Sequence, residues 1–324
     1  MIKIDDYEYI LPPELIAQEP WVNRDECKLL VVGEDGDIEH KHFFDIVDYL
    51  TDNDVLVVNR SKVFKARLLG KKDGGGSAEV LLLEKIINNK WKALGKNLKE
   101  GQKINFDEKY FGKILKREGS EVLVELNFDE NVIEKIGVTP LPPYIKTDKN
   151  YSEEYQTVYA KEIGSSAAPT AGLHFTSELK QKLINNGVKW EEIVLHVGLG
   201  TFLKVEEKNI VEKKLHSEYF EIDEETWERL KKYKEEGKRI IAVGTTALRA
   251  LETGRQKGFT DIFIYPPYQF KVVDSLITNF HLPKTSLLML ISALLGKRNW
   301  QTIYKEAIKE KYRFFSFGDA MFVI

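Results

Sequence analysis

Between Ala66 and Phe128 the chain reads as six short stretches of strand character, ARLLG, AEVLLLEKII, KWKAL, QKINF, FGKIL and EVLVELNF, parted by Gly, Asn, Asp and Glu-Gly turns. β-branched and apolar residues in short runs bounded by turn residues favour strands over helices. Six of them at this spacing predict a small antiparallel β-barrel.

The flanks have a different texture. From Lys28 to Asn59 an apolar run, LLVV, is followed by a turn at Glu34 to Gly36, the run IEHKHF, a helical stretch to Leu50 and then VLVVN, which is mixed α/β. Thr139 to Ile145, TPLPPYI, holds three prolines in the four residues from Pro140 to Pro143. Proline locks φ and removes a donor, so this tract is neither helix nor central strand and reads as a return linker. Beyond it Thr176 caps a helix stopped by Gly187, EEIVLHV is a strand, Asp223 caps a helix ending near Gly237, and RIIAV is a strand. The predicted fold is α/β with two domains: an α/β catalytic domain from both ends of the chain, residues 1–60 and 150–324, and an inserted barrel domain at 61–149. No internal repeat is visible.

At 324 residues, 43% hydrophobic and 31% charged, the chain is long enough to bury a sizeable core and carries no tract that prevents folding. No window approaches the run of about eighteen apolar residues that spans a bilayer, and the start, MIKIDDYEYI, is acidic, so a cytoplasmic protein is expected. Cys27 is the sole cysteine, which excludes an intrachain disulfide and a thiolate zinc cluster. The net charge of −3 excludes a polycationic coat but not a local basic face.

Four segments pack Gly, Thr, Ser, His or Asn where an apolar run gives way to a turn: GSSAAPTAGLHFT, HVGLGTF, VGTTALRALETG and DSLITNFHLPKTS. In the first, Ser165, Ser166, Ala167, Ala168, Thr170, Ala171 and Gly172 are small enough to let a ligand approach the backbone; a tight loop with a cap at Thr176 and a packed His174 explains them as well. His196 ends a strand, at the sheet edge where α/β proteins place ligands. Gly244, Thr245 and Thr246 join a strand to a helix, which suits a carboxylate or phosphate, with Arg249 one turn in; ordinary threonine capping is the plainer reading. Asn279 and His281 flank Phe280 and fit either a buried histidine or a site. His40 and His42 read as a surface pair rather than metal ligands. Glu218 shares the face of His216 if HSEYF is extended. Basic residues gather at Lys62, Lys65, Arg67, Lys71 and Lys72, and again at Lys297, Arg298, Lys305, Lys309, Lys311 and Arg313; most such runs are solvated faces.

Taken in order, YILPPELIAQEP, RDECKLLVV, NRSKVFKARLLG, PLPPYI, YQTVYAKEIGSSAAPTAGLHFT, HVGLGTF, HSEYF, VGTTALRALE, IYPPYQFKVVDSLITNFHLPKTSLLMLISAL and YRFFSFGDAM resemble, nearly end to end, the S-adenosylmethionine:tRNA ribosyltransferase-isomerases of the queuosine pathway. The chain departs from that pattern at Arg60, where an aspartate is common, at Lys65 and Lys204, customary prolines, and at Glu154, a customary arginine.

The resemblance implies transfer and isomerisation of the ribosyl part of S-adenosylmethionine onto 7-aminomethyl-7-deazaguanine at the tRNA wobble position, giving epoxyqueuosine-tRNA and releasing adenine and methionine. S-adenosylmethionine is then consumed as substrate, with no cofactor and no metal, and the partner is a tRNA anticodon loop; a monomer is expected. His174, His196 and His281 are the candidates for proton transfer, with base and acid open among them. Thr245, Thr246 and Arg249 suit the methionine carboxylate, and Glu218 or Asp319 its ammonium. Ser165, Thr170, Gly172, Thr201, Asn279 and Arg313 complete the expected binding set. Tyr268, Phe280 and Phe175 are candidates to stack on the target base or are simply core. A nucleoside transferase or hydrolase without RNA, and a non-catalytic RNA-binding module, fit the residues read singly.

Overall fold

The structure, a computed structural model, describes residues 3–147, 149–198 and 205–324. Strands β1 (Lys28–Val32) and β2 (Ile38–His42) form a hairpin; a 3-10 turn over Phe43–Asp48, where a helical stretch is predicted, leads to β3 (Asp54–Asn59) and β4 (Ser61–Val63). Six strands follow: β5 (Arg67–Lys72), β6 (Ser77–Ile87), β7 (Lys90–Leu94), β8 (Lys103–Asn105), β9 (Phe111–Glu118) and β10 (Glu121–Leu126). They close as an antiparallel barrel in the order β10-β7-β6-β5-β8-β9, as the six sequence runs predict. Leu68, Val80, Trp91, Ile104, Ile114 and Val124 point inward at period two, and Ile133 of helix α1 (Glu130–Ile136) joins the same core.

The chain then passes through Thr139–Ile145 without helix or ladder to β11 (Glu162–Ser165), which pairs with β4. Helices and strands alternate from there: α2 (Ser177–Asn185), β12 (Lys189–Leu195), α3 (Glu207–Glu212), β13 (Lys214–Glu221), α4 (Glu224–Glu235), β14 (Arg239–Val243) and α5 (Thr245–Glu252). The chain ends with β15 (Lys257–Ile262), β16 (Ser275–Asn279), α6 (Ser286–Leu295), α7 (Trp300–Lys309) and β17 (Ala320–Val323). Thr176 and Asp223 cap α2 and α4 through Leu179 N (3.1 Å) and Thr226 N (2.9 Å), as predicted.

Nine strands from both sides of the barrel make one sheet, ordered β15-β13-β12-β3-β14-β16-β17-β1-β2 among the described residues. Period-two alternation puts Leu30, Val55, Val57, Ile240 and Ala242 in one core with α5, α6 and α7, and Leu29, Leu56, Val58, Ile241 and Val243 in a second with α2. Each of these leucines, valines and isoleucines contributes roughly 1.5–3 kcal/mol on burial, and the two covered faces explain why β3 and β14 read as unbroken apolar runs. Strands β12, β3, β14 and β16 are parallel. Their carboxyl ends therefore share one edge, and the loops that leave it converge.

Candidate active site

Four of the segments singled out in the sequence meet at that edge. A pocket there is lined by Ala168–Ala171 of the small-residue loop, Val197 after β12, Gly244–Thr246 at the start of α5, Thr278, Asn279, His281 and Leu282 after β16, and Tyr144, Phe315 and Ser316. Thr285 and Leu287 complete the wall.

His281 stands in this wall with Nε2 2.9 Å from Thr278 Oγ1. Its backbone is held by Tyr9, whose hydroxyl donates to the carbonyl at 2.5 Å, and by Tyr304. Desolvation pushes the imidazole pKa down to about 3, so the ring is neutral at ordinary pH.

His174 lies one layer behind. Asn279 is oriented by three contacts: its Oδ1 accepts from Thr170 Oγ1 at 3.0 Å, and its Nδ2 donates to Phe315 O at 3.0 Å and to His174 Nε2 at 3.1 Å. Nε2 therefore accepts, which puts the ring proton on Nδ1, 3.2 Å from the buried Cys27 Sγ. Burial, with a smaller contribution from Arg24, lowers the His174 pKa to about 3. Burial likewise raises the Cys27 thiol well above its usual value, so it is a neutral sulfhydryl. Both nitrogens of His174 are engaged within the protein.

His196 follows β12, stacked on Tyr219 with ring centroids 6.0 Å apart and packed against Gly164, where a Cβ would approach the ring to 2.5 Å. It does not line the pocket. Its Nδ1 is buried without a partner, and burial lowers its pKa against the opposing pull of Glu162 and Glu221.

At the start of α5 the plain capping reading does not hold. Gly244, at φ +89°, takes the cap position and no side chain caps the helix; a positive φ is what glycine tolerates at no steric cost. Thr246 Oγ1 is buried without a hydrogen-bond partner, as are Nε and Nη2 of Arg249, one turn along the same face. Arg249 Nη1 pairs with Glu218, which also accepts from Gly198 N at 2.8 Å. The sequence assigned Arg249 and Glu218 to opposite ends of a ligand; the structure joins them as a buried pair. Glu218 is buried while His216 is exposed, because a register irregularity between Lys214 and Glu218 breaks the shared face.

The other expected residues serve different contacts. Ser165 is fully buried; its hydroxyl donates to Ser61 at 2.8 Å and accepts from Val197 N at 2.9 Å, tying β11 to the end of β12. Gly172 leaves room for Tyr159, whose hydroxyl would lie 2.0 Å from an added Cβ, so its smallness is packing clearance. Asp319 lies outside the pocket, accepting from Trp21 Nε1, Lys28 N and Arg313 N. Arg313 sits over the Trp21 ring at 5.0 Å and donates to Glu19 O. Tyr268 donates to Glu252, which also accepts from the amides of Lys271, Val272 and Val273. Phe175 and Phe280 are fully buried core. Thr201 and Lys204 lie outside the described residues.

Arg60 is near Glu162 (3.8 Å) and Asp223 (4.0 Å), away from the pocket. Lys65 donates to Glu134 O. Glu154 lies in a small cleft with Arg24, His174 and Ser316. His40 and His42 are exposed, and no group of three or more His, Cys, Asp or Glu capable of holding a metal occurs among the described residues.

Sequence reasoning missed Cys27, Tyr144, Thr278, Phe315 and Ser316. Tyr144 belongs to the proline-rich tract read as a linker, yet it lines the pocket, 2.6 Å from Ser316 Oγ and packed on Phe315 with centroids 4.7 Å apart.

The chain matches, over residues 4–323, a family described as queuosine biosynthesis protein. It is 50% identical over 335 residues to a protein of Thermosipho melanesiensis named S-adenosylmethionine:tRNA ribosyltransferase-isomerase, covering 99% of this chain and 100% of that one. A protein of the same name from a Sulfurihydrogenibium species is 49% identical over 339 residues, covering 100% of both. A crystal structure of S-adenosylmethionine tRNA ribosyltransferase from Thermotoga maritima is 38% identical, with a TM-score of 0.58, and is matched over 98% of this chain and 100% of that one. End-to-end likeness at this identity, on a fold of the same kind, makes this chain an enzyme of the S-adenosylmethionine:tRNA ribosyltransferase-isomerase family of queuosine biosynthesis.

Proposed function

We propose that the protein transfers and isomerises the ribosyl moiety of S-adenosylmethionine onto 7-aminomethyl-7-deazaguanine at the wobble position of tRNA, giving epoxyqueuosine-tRNA and releasing adenine and methionine. The observation that carries this reading is the pocket at the carboxyl edge of the sheet, whose wall holds a neutral imidazole and the unpartnered hydroxyl of Thr246, one helical turn before the buried, partly unpartnered guanidinium of Arg249, in a chain of this family.

The sulfonium of S-adenosylmethionine acidifies the adjacent C5′ protons, and a base that removes one leaves a stabilised carbanion; ring opening then expels adenine, which takes up a proton as it leaves. The aminomethyl nitrogen gives up a proton and bonds to the ribosyl carbon that adenine vacates, and methionine leaves later as a neutral thioether when the epoxide closes. His281 is the base in this scheme, since of the three candidate histidines it alone lines the pocket. A low imidazole pKa keeps it unprotonated and ready to accept. Proton transfer from a cationic substrate moves positive charge onto the ring rather than creating it, which offsets the desolvation that disfavours imidazolium.

Thr246 and Arg249 offer unpartnered buried donors at the start of α5, and these suit the methionine carboxylate, helped by the helix N-terminus. Thr170 and Asn279 form the wall opposite, held in place by His174. The target base lies in an anticodon loop, needs little unpairing, and meets Tyr144 and Phe315. S-adenosylmethionine is a substrate here and no further cofactor is invoked. The test is adenine release from S-adenosylmethionine by purified protein with tRNA carrying the aminomethyl base: turnover with His281→Gln matching wild type removes the assigned base, and turnover of the free base as fast as tRNA removes the RNA from the reading.

A further inference from the structure

We infer that the outer face of β5, β8 and β9 is an RNA-backbone docking surface, through which the barrel holds tRNA while the α/β pocket works on one base; this rests on the proposed function for the identity of the RNA. Charge is segregated along the chain. Between Ser61 and Phe128 there are 15 Lys and Arg against 9 Asp and Glu, leaving 33 against 42 elsewhere.

It is segregated again around the barrel. On the β6–β7–β10 side the cations are neutralised, Lys90 by Glu125 (3.6 Å) and Lys92 by Glu121 (3.0 Å), with Arg67 of β5 held by Glu79 (2.9 Å) on β6. On the β5–β8–β9 side the register places Lys103 directly opposite Lys113, and in the neighbouring row it lines up Lys71, Asn105 and Phe111. The three lysines are exposed, and none forms an ion pair with a carboxylate among the described residues. Lys103 Nζ instead sits 4.1 Å from the Phe111 ring centroid. The nearby carboxylates are occupied: Asp73 accepts from Asn105 and Glu125 holds Lys90.

Like charges directly across an antiparallel pair destabilise a sheet; the Phe111 ring under Lys103, and Glu125, which the register sets across from Lys113 but which pairs with Lys90 at 3.6 Å, offset that cost only in part. A polyanion supplies the remainder. Lysines around a partly exposed aromatic ring on a small barrel match how such folds hold RNA, with phosphates on the cations and an unpaired base on the ring.

The experiment compares wild type, the triple variant Lys71→Gln/Lys103→Gln/Lys113→Gln and a control triple, Lys85→Gln/Lys90→Gln/Lys92→Gln, in tRNA affinity across a salt series and in adenine release at saturating tRNA. Loss of three phosphate contacts lowers the log–log salt slope by about 2 to 3 and weakens binding on the order of 100-fold at about 0.15 M salt. KM for tRNA should rise with kcat unchanged, and the control should keep the wild-type slope. Should the triple variant melt early, Lys113→Gln alone is expected to lower the slope by about 0.7–0.9. Wild-type slope and affinity in the triple variant and in Lys113→Gln overturn the surface while leaving the function standing. Wild-type protein that binds no tRNA overturns both. Binding of phosphatidylserine vesicles lost in the triple variant with tRNA affinity intact assigns the patch to membranes and overturns it too.

Discussion

Acid should destabilise this protein through His174. The residue is 3% exposed, its Nε2 faces the Asn279 amide donor and its Nδ1 faces Cys27. A second ring proton would therefore point at an N–H, with burial opposing the charge as well. The folded-state pKa is about 3 against 6.5 for an unburied imidazole. Between those values the unfolded chain binds a proton that the folded chain refuses. Stability is thus fully present above pH 6.5 and declines as pH falls toward 3, by about 1.4 kcal/mol per pH unit from this one group. Over the first one and a half units this amounts to roughly 2 kcal/mol, and His281 shifts in the same direction. The assay is urea unfolding of wild type and His174→Gln between about pH 7 and about pH 5. Glutamine keeps polar atoms in the gap without a titrating group, so its pH slope should be shallower by up to one proton. An unchanged slope, or an NMR titration of the His174 ring with a midpoint near 6.5, would refute the picture of a buried ring with both nitrogens engaged.

Other expectations follow from the same contacts. His281→Gln should lower kcat by about 10²–10⁴-fold with little change in KM for S-adenosylmethionine, and His174→Gln should lose far less. Because burial holds the His281 pKa at about 3, the pH profile of kcat/KM should show no acid limb near 6.5; a limb there would mean another base. Gly172→Ala should cost about 1–3 kcal/mol in unfolding free energy, and Tyr159→Phe should recover part of it, since the clashing hydroxyl has no partner to lose. Arg249→Met should destabilise by about 3 kcal/mol through the buried carboxylate of Glu218, and Arg249→Met/Glu218→Leu should regain stability without regaining affinity for S-adenosylmethionine.

What was legible in the sequence follows from the range of the interactions involved. The barrel is written in local alternation and turn residues, so all six strands were visible, as were the caps at Thr176 and Asp223. The sheet order depends on pairings such as β1 with β17, between ends of the chain, which no local pattern encodes. The four polar segments were recognisable because strands end there, and the sheet gathers them at one edge. Their division of labour was not. His174 and His281 look equivalent in sequence, and only Cys27, 147 residues away from His174, shows that its second nitrogen is taken. Small residues carry little information about what they make room for: Gly172 admits Tyr159, and Gly164 admits His196. The threonines before α5 resembled caps, but Gly244 holds that position, which leaves Thr246 Oγ1 unpartnered. Tyr144 was hidden in a proline tract whose rigidity reads as spacing.

The most direct measurement of the central claim is the product balance of a single-turnover reaction: wild-type protein, S-adenosylmethionine, and tRNA carrying 7-aminomethyl-7-deazaguanine at the wobble position, with adenine, methionine and modified tRNA quantified together. The account predicts the three products in equal amounts, and none with His281→Gln on the same time scale. Adenine released without a gain of mass on the tRNA, or equal turnover by the His281 variant, would contradict it.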